Sequence, residues 1–177
     1  TTYYIPLNFI HMQIINPATE EVIQEIAEDS PEAILKKFQL VKEGQPAWSA
    51  VPLDQRIACI EKFYGFLDEE KDELAETLTM EVGKPLQQSY NELNGARKRL
   101  EYFIKNSAKW LAEEWITEED ATREKIVYEP LGVIANISAW NYPYLVGVNV
   151  FVPALIGGNA VLYKPSEYAT LTGLHIQ

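Results

Sequence analysis

Two short segments carry the residue types that could do chemistry. The first is Ser138-Ala139-Trp140-Asn141-Tyr142-Pro143. Pro143 holds Tyr142 extended, so the segment reads as a loop. Trp140 offers a flat apolar wall, and the Asn141 amide can donate hydrogen bonds. A fixed amide donor at a strand end suits an oxygen that gains negative charge during a reaction. Asparagine also stabilises turns, and spacing alone favours that plainer role. The second segment is Lys164-Pro165-Ser166-Glu167. A lysine at a strand end, locked by a proline, reaches a ribose hydroxyl or a phosphate. A carboxylate three residues later accepts hydrogen bonds from ribose hydroxyls. Taken alone, a surface lysine and a glutamate capping the next helix describe it better.

The remaining reactive types point elsewhere. Cys59 lies among Ile57, Ile60 and Phe63 and reads as a packed core thiol with no base to activate it. The runs Asp68-Glu69-Glu70 and Glu118-Glu119-Asp120 read as solvated charge. Gly157-Gly158 lacks the spacing of a phosphate-binding loop and reads as the end of a helix. With one cysteine and two histidines, no metal site and no internal disulfide is expected, which fits a reducing, cytoplasmic setting. A net charge of -11 repels nucleic acid and anionic membrane surfaces, so neither is expected as a partner. The longest apolar run, Val146 to Gly158, is interrupted and too short to span a bilayer.

Both segments depend on the elements around them. In a chain of 177 residues, 47% of them hydrophobic, one core is expected. Val22 to Ile26 reads as a strand after the turn Asn16-Pro17-Ala18-Thr19. Ser30-Pro31-Glu32 opens a helix that Gly44 and Pro46 should end. A second helix is expected from Leu53 to Val82 and a third from Leu86 to Trp115. Lys125 to Glu129 reads as a strand. Gly132 to Ile137 reads as a buried strand, Val148 to Ile156 as an apolar helix, and Asn159 to Tyr163 as another strand, with a helix from Thr170. This order predicts a parallel βαβ unit. Each chemical segment then falls just past the carboxyl end of a strand, where doubly wound sheets bind ligands.

Several segments together resemble the aldehyde dehydrogenase superfamily. They are Ile15-Asn16-Pro17-Ala18-Thr19-Glu20-Glu21-Val22, Glu81-Val82-Gly83-Lys84-Pro85-Leu86, Glu129-Pro130-Leu131-Gly132-Val133, Trp140-Asn141-Tyr142-Pro143 and Gly158 to Glu167. The resemblance covers the chain from Ile15 and implies the N-terminal part of that α/β fold. N-terminal helices would precede the first part of an incomplete Rossmann-like parallel sheet. Residues 1–11 are expected to be a leader and 12–116 the mainly helical part of the cofactor-binding domain. Residues 117–131 would start an oligomerisation hairpin, and 132–177 would form the first βαβ unit. The resemblance assigns Asn141 to the oxyanion formed when a cysteine attacks an aldehyde. It assigns Lys164 and Glu167, with Ser166 between them, to the adenosine ribose, and Ile137, Ser138, Ala139 and Trp140 to the cofactor groove. NAD is the implied cofactor, with NADP as the alternative. An aldehyde is the implied substrate, and a homo-oligomer the implied full-length assembly. Ala139 stands where the family commonly has proline. The family's glycine-rich nicotinamide loop, general-base glutamate and nucleophilic cysteine match no residue here, so these residues alone are expected to be inactive. A non-catalytic nucleotide-binding or assembly module is the competing expectation.

Overall fold

A computed structural model describes residues 11–119 and 121–177. The expected leader lies outside them except for His11, the first residue of a strand. β1 (His11–Ile15) and β2 (Val22–Ala27) form an antiparallel hairpin. Asn16 sets its turn, its side-chain oxygen accepting from the Ala18 N–H at 2.9 Å.

Four helices follow. α1 (Pro31–Ser49) starts as expected, with the Ser30 hydroxyl accepting from the Ala33 N–H and Pro31 in the first turn. It does not stop at Gly44 or Pro46. Proline removes one hydrogen bond, but the last turn is held from outside. The Gln45 amide donates to the Gly158 carbonyl at 3.0 Å and the Trp48 indole to the Leu155 carbonyl at 2.9 Å. The expected second helix is two, α2 (Leu53–Glu69) and α3 (Lys71–Val82), broken at Glu70. Gly83 ends α3 with φ 75°, and a side chain there would also meet the Pro17 ring. α4 (Leu86–Trp110) is shorter than expected, because Trp115 belongs to a strand. β3 (Glu114–Glu119) and β4 (Thr122–Ile126) form a second antiparallel hairpin, and Val127 to Glu129 lie beyond it. Asp120 lies outside the described residues.

β5 (Val133–Ile137), α5 (Pro143–Ile156) and β6 (Ala160–Lys164) make the parallel βαβ unit, and α6 (Thr170–Leu174) follows. α5 starts five residues earlier than expected. Pro143 opens it, since the first turn of a helix needs no N–H from that residue. The core is built around α5. Tyr144, Val148, Phe151, Val152 and Ile156 pack against Ile60 and Leu67 of α2, Leu74 and Leu78 of α3, and Leu93 and Leu100 of α4. α1, which has no buried residue, rests on β5 and β6. Cys59 is exposed, correcting the expected core thiol. It sits next to buried Ile60, and one residue turns a helical side chain by about 100°. Among the described residues, no helix is long and apolar enough to cross a membrane.

Candidate functional site

The two chemical segments leave adjacent parallel strands side by side. The register pairs Ile137 with Lys164, the last residues of β5 and β6. Pairing continues one step further, with the Ser138 N–H donating to the Lys164 carbonyl at 3.0 Å. Ile137 is 77% exposed, an apolar surface standing at the mouth of the crevice. Trp140 and Tyr168 extend from the two loops and meet edge to face, centroids 6.4 Å apart. Glu167 and Tyr168 also border a cavity of about 310 Å³, with Met12 to Ile15 and Glu81 on its other side.

In the second loop, Ser166 is buried and organises its neighbours. Its hydroxyl donates to Glu167 Oε2 at 3.2 Å and accepts from the Tyr168 N–H at 3.3 Å. Its carbonyl accepts from the Thr170 hydroxyl at 3.1 Å. Glu167 is exposed. Its own backbone N–H, the Ser166 hydroxyl and the nearby Lys164 hold its carboxyl below the usual range, so it is an ionised acceptor at neutral pH. Lys164 Nζ lies 3.8 Å from Glu167 and donates to the Pro165 carbonyl at 2.9 Å. Gly173 of α6 lets this loop lie close, since a β-carbon there would stand 2.3 Å from the Pro165 ring.

In the first loop, the Ser138 hydroxyl is buried and has no hydrogen-bond partner among the described residues, and the same holds for the Tyr163 hydroxyl. Burial pushes the Tyr163 phenol up. Ala139 is exposed. Asn141 is exposed too, and among the described residues no hydrogen bond ties its amide to the backbone, as a turn-forming asparagine would require.

What holds this loop comes from the helical part. Glu92 of α4 has no exposed side-chain surface. Its Oε1 accepts from the N–H groups of Tyr144 and Leu145 at 2.9 and 3.4 Å. Those are the second and third residues of α5; Pro143 has no N–H, and the Val146 N–H bonds the Tyr142 carbonyl. Glu92 thus satisfies the two open N–H groups in the first turn of α5. Burial raises the Glu92 carboxyl pKa, against the pull of Lys84 and these N–H groups. Its other oxygen takes Lys84 Nζ at 2.5 Å. The Tyr144 phenol, pushed far up by burial and by the Glu92 and Glu81 charges, stays a donor to the Leu74 carbonyl at 3.1 Å.

Glu81 of α3 treats α6 the same way. It accepts from the Leu171 and Thr172 N–H groups at 2.7 and 2.8 Å and from the Thr172 hydroxyl at 2.8 Å. Each helix following a chemical loop is thus capped by a buried glutamate from the helical part. Sequence reasoning missed Lys84, Glu81 and Glu92 as positioning groups. A usable signal existed for Glu92: it falls on the α4 stripe with Ser89, Leu93, Ala96 and Leu100, and a charge on an apolar stripe needs a buried partner. Among the described residues, no cluster of three or more His, Cys, Asp or Glu could hold a metal ion.

A family model described as "Aldehyde dehydrogenase family" matches residues 8–177. Solved structures match as well. An aldehyde dehydrogenase of Bartonella henselae is 25% identical with a TM-score of 0.90, the match covering 97% of this chain and 36% of that one. A betaine aldehyde dehydrogenase of Staphylococcus aureus is 29% identical with a TM-score of 0.89, covering 99% and 35%. A putative methylmalonate-semialdehyde dehydrogenase of Sinorhizobium meliloti 1021, solved with NAD, is 27% identical with a TM-score of 0.89, covering 96% and 35%. The chain spans about a third of the length of these relatives.

Proposed function

Because the chain belongs to the aldehyde dehydrogenase family, we propose that it forms the amino-terminal part of an enzyme oxidising an aldehyde to a carboxylic acid with NAD(P)+. The observation that carries this is the register of Ile137 with Lys164, which delivers both chemical loops to one end of the parallel pair. The residues there fit a dinucleotide. Glu167 is an exposed, ionised acceptor for ribose hydroxyls, and Lys164 an exposed donor beside it. Ser166 shapes the turn between them, and the chain from Ile137 through Ser138 and Ala139 to Trp140 lines the adjoining groove. When bound, the nicotinamide cofactor supplies the hydride acceptor. Asn141 donates its amide to the aldehyde oxygen as negative charge develops there. The nucleophile and general base come from outside these residues. The β3–β4 hairpin, with Trp115, Ile116 and Ile126 exposed, supports association with a second copy.

Two results test this. The purified 177-residue chain should show no aldehyde-dependent reduction of NAD. Sustained turnover that disappears in Cys59→Ser would refute the assignment of the nucleophile. In the complete enzyme NAD should be preferred to NADP, because a 2′-phosphate would crowd the Glu167 carboxylate and cannot donate to it. Lys164 offsets part of that repulsion, so the preference is incomplete. Glu167→Gln should narrow the ratio of kcat/KM for the two cofactors by a few-fold. An unchanged ratio removes Glu167 from cofactor selection.

A further inference from the structure

The stretch from Ala139 to Asn141 is held by very little of its own. Among the described residues none of its N–H groups makes a backbone hydrogen bond. The Asn141 carbonyl is its tied backbone group, and the donor is Lys84 Nζ at 2.6 Å. An ammonium has three N–H donors. Here one direction goes to Asn141, one to Glu92 at 2.5 Å, and the Tyr142 ring centroid lies 4.1 Å from the nitrogen. The side chain is only 9% exposed, so water competes weakly for these bonds. Glu92 completes the arrangement by gripping the first N–H groups of α5. The peptide carrying Asn141 is therefore held on its carbonyl side by Lys84, and the helix that begins two residues later is held by Lys84's own partner.

We propose that Lys84 and Glu92 are positioning residues for Asn141, fixing its backbone so that the side-chain amide keeps one place beside the ends of β5 and β6. This rests on Asn141 being the oxyanion donor. Lys84 touches no reacting atom; it acts through Asn141. Arginine is a poor replacement, because a planar fork does not supply the three divergent directions that an ammonium does.

A double-mutant cycle in the complete enzyme tests the proposal, with kcat, the KM for NAD and the melting temperature measured for wild type, Lys84→Met, Asn141→Ala and the double variant. Lys84→Met should lower kcat by up to roughly 100-fold, the scale of a misplaced catalytic group, while the KM for NAD changes little. In the Asn141→Ala background the same substitution should cost almost no further kcat, although it lowers the melting temperature equally in both backgrounds. If Lys84→Met lowers kcat by its full factor in both backgrounds, Lys84 does not act through Asn141 and the proposal fails. If Asn141→Ala alone turns over normally, the oxyanion role itself fails and takes the proposal with it. Should Lys84→Met not fold, Lys84→Arg, which keeps the charge beside Glu92, is read in the same cycle with the same outcomes.

Discussion

Replacing Lys84 with methionine is expected to destabilise the protein by about 3–5 kcal/mol, the usual result of leaving one member of a buried ion pair without its partner. Methionine matches the stem of lysine, so the change isolates the ammonium. Glu92 would keep the Tyr144 and Leu145 N–H groups but lose its counter-charge, in a place where burial already raises its pKa above the ordinary 4.5. A carboxyl raised in the folded state binds its proton more tightly there than in the unfolded chain. Its contribution is most favourable below the unfolded pKa and is lost as pH rises through the folded one. The gap between Lys84→Met and wild type should therefore be smallest in acid and widen toward neutrality, as Glu92 ionises unpaired. Glu92→Gln should cost less, since its amide oxygen still accepts one N–H and Lys84, 9% exposed, can turn toward water. Urea unfolding followed by circular dichroism at two pH values measures all three. A loss under about 1 kcal/mol for Lys84→Met, the range of exposed pairs, would show that the pair is solvated.

Asn141→Ala in the complete enzyme is expected to lower kcat by roughly 100- to 1000-fold, about 3–4 kcal/mol, the cost of deleting one oxyanion donor. The KM for NAD should barely move, because the groups assigned to the ribose lie on the other loop. Folding stability should hardly change either. The side chain is exposed and its amide has no hydrogen bond among the described residues, while the tie to Lys84 runs through the backbone carbonyl that alanine keeps. Single-turnover measurements with saturating cofactor separate the effect on chemistry from any on product release. Near-normal turnover would return Asn141 to a merely structural place in its loop.

The parallel βαβ unit was legible because each of its parts announces itself locally: two short apolar strands, an apolar helix between them, and glycines after it. The approach of the loops from β5 and β6 followed from that topology. What could not be read depended on partners far away in sequence. α1 runs through Pro46 because Gln45 and Trp48 find carbonyls in the α5–β6 connection and the last turn of α5. The start of α5 was misplaced because its N-terminus carries no capping side chain of its own; Glu92 caps it from 52 residues upstream. Lys84 was visible as part of a motif, yet a motif does not say what its lysine touches. Cys59 was assigned to the core from its apolar neighbours in sequence, whereas on a helix the residues three and four away decide which face is buried.

Arg56 donates through Nε to the Ile156 carbonyl at 2.9 Å and through Nη1 to the carbonyls of Ser49 and Val51 at 2.9 and 2.8 Å. The first of these bonds spans 100 residues, and the neighbouring bond from Trp48 to Leu155 spans 107. During synthesis the ribosome releases the guanidinium and the indole well before their acceptors exist. At roughly 5–20 residues per second, the wait is about 5–20 s. Throughout it α1, with no buried residue, has no strand to rest on. Contacts this distant also carry a large loop-closure cost before they return any stability. α1 is consequently among the first segments made and among the last to be tied in place, and its apolar side chains Ile34, Leu35 and Leu40 remain exposed even then.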